Sequence, residues 1–141
     1  MAVRSADAQW SGGLMTGQGT MKLGSGAFEG PFSFKSRMEE GTGTNPEELI
    51  GAAHAGCYSM QFSAMLEHAG FPPERVHTGA KVHFGPVDGG FAITRIDLTA
   101  EGQVPGIDAA QFQELAQAAK TACPVSKALA GTEITLDAKL V

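Results

Sequence analysis

The two cysteines, Cys57 and Cys123, are the residues of this chain best suited to chemistry. Cys57 follows the apolar stretch LIGAAHAG, and Cys123 stands directly before a proline in TACPVSKAL. A thiolate is a nucleophile that is readily oxidised, and a second thiol converts its oxidised form to a disulfide. Two thiols on otherwise apolar helices therefore indicate a redox pair, although each cysteine alone would also fit as a small buried side chain.

A reactive thiol needs a positive group nearby, because burial alone raises the pKa of a thiol. His54 lies one helical turn before Cys57 and is one candidate, but a core histidine packed between helices is an equally good interpretation. Arg37 is the better cation, since a guanidinium favours a thiolate and polarises a leaving oxygen; its alternative is a solvated arginine at a strand end. Glu47 is placed to orient Arg37, and its alternative is an acid favoured by the helix dipole.

Two other uses of the cysteines are weaker interpretations. A metal site of His54, Cys57 and Cys123 lacks a convincing fourth ligand, so we predict no metal. A structural disulfide would be unusual in a reducing compartment, where paired thiols are more often reactive or inert.

The bulk composition excludes several functional classes. With 141 residues, the chain fits a single domain, 1–141, of ordinary size. Its formal net charge is -5 and its ten Lys and Arg residues are scattered, so we predict no nucleic-acid partner. The start, MAVRSADAQW, has no apolar signal segment, and no stretch reaches the roughly 18 apolar residues of a membrane span. We therefore expect a soluble, cytoplasmic protein with no membrane partner.

The elements that position these residues begin with strands. Residues 8–37 carry short apolar alternations typical of two or three antiparallel strands, with Arg37 ending the third. Asn45 is then expected to cap a helix that has Pro46 at its first position and runs to about Ala69. That helix is apolar nearly all round, which predicts a buried helix.

The second half of the chain predicts strands, a helix and a final strand. The expected elements are two strands within 77–101 joined by Gly85–Gly90, a helix over 109–122 capped by Asp108, a short turn over Val125–Leu129 and a strand over 133–140. This order has no parallel crossover pattern and indicates an α+β fold.

Helix length restricts how Glu47 can act on Cys57. The two residues are ten positions apart in one predicted helix, which corresponds to about 15 Å along its axis. Glu47 therefore cannot serve the thiol of its own helix directly. A two-fold dimer that shares its sites across the interface would remove this difficulty.

Taken together and in order, five segments resemble one family: GTNPEELIGAAHAGC, GFAITRI, VPGID, ACPVSKAL and EITLDAKL. They are similar to the OsmC branch of the OsmC/Ohr peroxiredoxin-like superfamily, from Trp10 to the end of the chain. The resemblance implies an OsmC-like α+β fold, with antiparallel sheets around long buried helices, and an intertwined homodimer. Gly56 departs from the family, in which alanine is frequent before the cysteine.

The resemblance also implies an activity and its residues. Cys57 matches the peroxidatic cysteine and Cys123 the resolving cysteine, while Arg37 and Glu47 match residues that reach the cysteine of the partner subunit. The implied enzyme is a thiol-dependent peroxidase of oxidative and osmotic stress defence that prefers organic hydroperoxides to hydrogen peroxide. It would need no metal, haem or flavin, and an external dithiol, with lipoyl-type dithiols as one option, would reduce its disulfide.

Two alternatives remain at this point. One is a non-enzymatic dimer that binds a hydrophobic ligand between its subunits, and the other is a redox sensor that signals through the same disulfide. For the peroxidase, Met60, Phe62 and Phe71 are candidates for an apolar substrate pocket.

Overall fold

The computed structural model describes all residues, Met1–Val141, and contains six strands and four helices. In chain order they are β1 (Ala6–Ser11), β2 (Gln18–Leu23), β3 (Glu29–Phe32), α1 (Phe34–Met38), α2 (Pro46–His68), β4 (Arg75–Val87), β5 (Gly90–Gln103), α3 (Ala109–Ala122), α4 (Pro124–Ala128) and β6 (Glu133–Leu140). The chain divides into two compact units, Met1–Leu49 and Ile50–Val141, called here the smaller and the larger unit. No helix combines the length and the hydropathy that crossing a bilayer requires.

The smaller unit is built on an antiparallel sheet in the order β1-β2-β3. Most side chains of β1 and β2 are exposed. The main apolar contact pairs the half-buried rings of Trp10 and Phe32, whose centroids are 5.3 Å apart. Gly19 lies beneath both rings, and a Cβ there would collide with them. Such a sheet buries little apolar surface of its own.

The position of Arg37 differs from the prediction, because the third strand ends at Phe32 and Arg37 lies on α1. Ser33 caps this helix: its hydroxyl accepts from the N–H of Ser36 at 3.1 Å, and the Ser36 hydroxyl accepts from the N–H of Ser33 at 2.9 Å. This reciprocal capping box turns the chain into a helix where the apolar alternation predicted a continuing strand.

The predicted cap of the long helix is confirmed. Asn45 Oδ1 accepts from the N–H of Glu48 at 2.8 Å, and Pro46 is the first residue of α2. The helix ends at His68, close to the predicted Ala69, and Gly70 follows with φ at 93°. The left-handed conformation at that position stops the helix.

The sheet of the larger unit has the order β4-β5-β6. β4 and β5 are longer than predicted, and their turn is Asp88-Gly89 rather than the whole of Gly85–Gly90. β6 pairs with β5 in parallel, so the expectation of no parallel crossover is wrong. The physical reason is that α3 and α4 return the chain to the end of the sheet where β5 began, which is the connection that a parallel pair needs.

The hydrophobic core lies entirely in the larger unit. Its fully buried large side chains come from α2, β5 and α3: Tyr58, Phe62, Leu66, Ile96, Leu98 and Phe112. The Asp108 cap predicted for α3 is confirmed, since its side chain accepts from the N–H of Gln111 at 2.7 Å.

The prediction from composition that α2 is buried on all sides is wrong. The buried positions follow one face at intervals of four residues, from His54 through Tyr58 and Phe62 to Leu66. The opposite face is exposed although it is apolar; it consists of Ala52, Ala53, Gly56, Met60 and Ala64, and Met60 is 77% exposed. The apolar composition of α2 therefore includes a face that the larger unit leaves uncovered.

Candidate active site

The two cysteines meet in the larger unit. Cys57 lies in the middle of α2, and Cys123 lies between α3 and α4, where Pro124 cannot continue the first helix but begins the second. The two sulfur atoms are 2.9 Å apart and share a hydrogen bond, and both cysteines are free. A disulfide bond is about 2.05 Å long. A short movement of either side chain is therefore enough to join the two sulfur atoms.

The surroundings of the two sulfur atoms differ. Burial raises the pKa of Cys57, and the hydrogen bond shared with Cys123 raises it further, because Cys57 keeps its proton as the donor. The N–H of Val125 acts in the opposite direction and lowers this pKa. Burial also opposes ionisation of Cys123, but Cys57, Ser126 and the N–H of Val125 together bring its pKa below the usual value. Within the larger unit, Cys123 is thus the thiol whose charged form is better stabilised.

His54 is a buried histidine between two helices rather than a cation beside Cys57. It is fully buried, and its Nε2 lies 2.8 Å from the hydroxyl of Ser126 on α4. Its Nδ1 is buried and has no hydrogen-bond partner. Burial lowers the pKa of His54, so the ring is neutral near pH 7. Of the two interpretations open from the sequence, the core histidine is the one found.

Ser126 was not among the residues singled out from the sequence. It is buried and lies three positions after Cys123, in the first turn of α4. The signal that would have found it is the serine in the motif CPVS, because a hydroxyl in the first turn of a helix can point back to the residue that precedes the helix.

Arg37 and Glu47 meet in the smaller unit. Arg37 Nη2 donates to Glu47 Oε1 at 2.7 Å, and Arg37 Nε donates to the two carboxylate oxygens at 3.1 and 3.2 Å. The carboxylate is 9% exposed and the guanidinium side chain 39% exposed. Asn45 binds Glu48 instead, at 3.3 Å from Nδ2 to Oε2, which leaves Glu47 for the arginine. The contact expected from the sequence, a carboxylate that orients Arg37, is present.

The three candidates for an apolar pocket differ in their environments. Phe62 packs edge-on against Phe112 at 5.2 Å and is fully buried, so it belongs to the core rather than to an open pocket. Phe71 is partly buried against the same core, and Met60 is exposed. No three His, Cys, Asp or Glu side chains are arranged to hold a metal ion.

Comparison with known proteins identifies close relatives. The family model described as OsmC-like protein matches residues 39–139. The chain is 50% identical to Peroxiredoxin OsmC of Escherichia coli (strain K12) over 138 residues, which cover 97% of this chain and 96% of that one. It is 37% identical to the organic hydroperoxide resistance protein of Xanthomonas axonopodis pv. citri over 99 residues, with 68% and 67% coverage.

Solved structures give the same fold. The organic hydroperoxide resistance protein OhrB of Bacillus subtilis matches with a TM-score of 0.70 at 25% identity, covering 97% of this chain and 98% of that one. An OsmC-like protein from Mycoplasma pneumoniae matches with a TM-score of 0.77 at 16% identity, covering 99% and 98%. The predicted α+β, OsmC-like fold class is confirmed, with the mixed β4-β5-β6 sheet as the detail that differs.

Proposed function

This chain belongs to the OsmC-like protein family, and we propose that it is a thiol-dependent peroxidase that reduces organic hydroperoxides, and hydrogen peroxide less readily. The observation that carries the proposal is the pair of free thiols, with sulfur atoms 2.9 Å apart, of which one is buried and one half-buried. The names of its relatives, a peroxiredoxin and organic hydroperoxide resistance proteins, support the same activity and a role in defence against peroxides. We extend this role to oxidative and osmotic stress.

The reaction has three steps. The Cys57 thiolate attacks one oxygen of the peroxide, the O–O bond breaks, and an alcohol or water leaves while Cys57 becomes a sulfenic acid. Cys123 then attacks the oxidised sulfur, forming a Cys57–Cys123 disulfide and releasing water. An external dithiol reduces that disulfide by exchange, for which a lipoyl-type dithiol is one candidate. In this scheme Cys57 is the peroxidatic residue and Cys123 the resolving residue.

Arg37 and Glu47 activate the peroxidatic cysteine of the partner subunit in a homodimer. In the larger unit, Cys123 and the N–H of Val125 are the groups that act on Cys57, and neither is positively charged. A guanidinium is the group that would restore a thiolate there and bind a peroxide oxygen. Glu47 holds Arg37 in a fixed orientation through its fork of hydrogen bonds.

The dimer itself is supported by two surfaces that the chain leaves open. The exposed face of α2, defined above, is apolar, and a second copy would cover it. The side chains of β1 and β2 are mostly exposed, and a three-stranded sheet without a buried hydrophobic face needs to pack against another surface to be stable. We assign both units to a single domain, 1–141, because the family match of 39–139 spans them. We place the enzyme in the cytoplasm, where reductants return both thiols to the reduced state after each turnover.

The test is catalytic turnover with cumene hydroperoxide and dihydrolipoamide or dithiothreitol. We expect the wild-type protein to consume many equivalents of peroxide per site. Cys57→Ser should consume none, and Cys123→Ser should consume one equivalent and then stop, with overoxidation of Cys57 visible by mass spectrometry. A redox sensor would react once and revert slowly, and a ligand-binding protein would not react. Normal turnover by Cys57→Ser would contradict the proposal.

A further inference from the structure

His54 and Ser126 form a buried polar pair beside the thiols, and the reaction described above does not use it. His54 is fully buried on α2, Ser126 is 6% exposed on α4, and their side chains are 2.8 Å apart. Ser126 lies in the first turn of α4, which begins directly after Cys123, and its hydroxyl and N–H lower the pKa of Cys123. The Ser126 hydroxyl is thus the group that connects the histidine ring on α2 with the residue that precedes α4.

The unpartnered Nδ1 determines the direction of this chain. If Nδ1 carried the proton, a buried N–H group would have no acceptor, which native proteins rarely tolerate. The tautomer with the proton on Nε2 avoids this, and Nε2 then donates to Ser126 Oγ. An oxygen that accepts from His54 keeps its own hydrogen for another acceptor. Cys123 Sγ is the acceptor that this assignment provides, because Cys123 directly precedes the helix whose first turn holds Ser126.

We propose that His54 and Ser126 are positioning residues for the resolving step: the His54 ring orients the Ser126 hydroxyl, which donates to Cys123 Sγ and holds it ready as a thiolate. This inference rests on the proposed peroxidase function, because it assigns a role within that reaction.

The resolving step forms one S–S bond and breaks one S–O bond. Cys123 loses its proton, and a lone pair of its sulfur forms the S–S bond to the Cys57 sulfenic acid. The S–O bond breaks with its electron pair on oxygen, and the hydroxide takes up a proton and leaves as water. The Cys123 sulfur is oxidised and the Cys57 sulfur reduced to the disulfide level.

The other titratable groups facing Cys123 do not replace this pair. They come from α2 and are Cys57 and Tyr58. Burial raises the pKa of Tyr58, followed by the effect of Cys123, so the phenol stays neutral. Its hydroxyl donates to the carbonyl of Ala116 at 3.0 Å.

The first test measures the ionisation of Cys123 directly. In a Cys57→Ser background, the ultraviolet absorbance of the thiolate is followed against pH. We expect Ser126→Ala to raise the midpoint by about one pH unit, the size expected for a hydrogen bond to a charged group. Ser126→Thr, which keeps the hydroxyl, should restore most of the shift. Ser59→Ala is the matched control, because Ser59 is a half-buried hydroxyl on α2 bonded to Thr78 at 2.7 Å.

The second test separates the resolving step from peroxide reduction. Reduced protein is mixed with one equivalent of tert-butyl hydroperoxide, and peroxide loss and disulfide formation are timed separately. We expect Ser126→Ala and His54→Leu to slow disulfide formation about tenfold relative to peroxide loss, with His54→Gln closer to the wild type because its amide keeps a donor.

The outcomes distinguish this inference from the proposed function. A folded Ser126→Ala protein with an unchanged midpoint and an unchanged closure rate would overturn the inference, and Ser126→Ala decides the case even where His54→Leu does not fold. If the wild-type protein does not consume the hydroperoxide, the proposed function fails, while the midpoint still tests the contact between Ser126 and Cys123.

Discussion

The two units of this chain differ in their buried core and in the reactive groups that they contain. The larger unit contains the entire hydrophobic core and both thiols. The smaller unit contains the arginine–glutamate pair and a sheet with little buried surface. The core of the larger unit fixes the position of the two sulfur atoms, whereas the smaller unit carries its charged pair beside a sheet with few buried side chains.

Because of this division, the chain alone is an incomplete enzyme under the proposed mechanism. Cys57 has its pKa raised within the larger unit, while the cation suited to reverse that shift belongs to the smaller unit. Dimerisation would supply both missing elements at once, because it covers exposed apolar surface and brings the cation of one copy to the thiol of the other.

The largest effect that we expect concerns the core. Phe112 is fully buried against Phe62, and Phe112→Ala should lower the free energy of unfolding by about 3–5 kcal/mol. Phe32→Ala, which removes a half-buried ring of the smaller unit, should lower the free energy of unfolding by only about 1 kcal/mol, because less of this side chain is buried. Urea denaturation at one fixed protein concentration measures both. Equal losses would mean that the smaller unit contributes a core of its own.

The next effect concerns the charged pair. Arg37→Ala should slow peroxide turnover by about a hundredfold without unfolding the protein, which is typical for loss of a charge-stabilising donor. Lys35→Ala is the matched control, since Lys35 is an exposed cation on the same short helix. A similar loss in both variants would indicate an effect of surface charge rather than of the guanidinium.

Mixed dimers decide whether Arg37 acts on its own subunit or on its partner. We expect Arg37→Ala and Cys57→Ser proteins to be almost inactive alone. When equal amounts of the two proteins are unfolded together and refolded as a random mixture, half of the dimers are mixed, and each mixed dimer holds one intact shared site. Activity should then rise to about a quarter of the wild-type value. No recovery in a mixture with demonstrated exchange would contradict the shared site.

The sequence predicted elements with strong local signals and missed those set by contacts between distant residues. The caps Asn45 and Asp108 mark two helices correctly, because capping is a local interaction. The parallel pairing of β6 with β5 was missed, since the choice of a neighbouring strand depends on where two helices return the chain. α1 was missed because its signal, Ser33 with Ser36, lies within an alternation typical of strands.

The candidate site shows the same limit. The two thiols were predicted as a pair, and the structure brings them to 2.9 Å. Arg37 and Glu47 were predicted to interact, and they form an ion pair at 2.7 Å. Their roles in catalysis stay predictions. Ser126 was missed because its importance lies in contacts with α2, far away in sequence.

The smallest effect that we expect compares two glycines in the larger unit. Gly56 lies on the exposed face of α2 with open space where a methyl group would stand, and Gly56→Ala should stabilise the protein by up to about 1 kcal/mol because alanine favours helix. Gly102 is the opposite case, since a Cβ there would lie 2.6 Å from the ring of Phe112. Gly102→Ala should destabilise the protein by about 1–3 kcal/mol through overpacking.

Urea denaturation together with light scattering measures both glycine variants. Because the added methyl group of Gly56→Ala stands in open space in the single chain, it should leave self-association unchanged. A loss of stability in Gly56→Ala that accompanies weaker self-association would contradict the expectation. Such a result would mean that a second copy of the chain packs against Gly56 too closely for a side chain to fit. The open space beside Gly56 in the single chain would then be a contact between two copies.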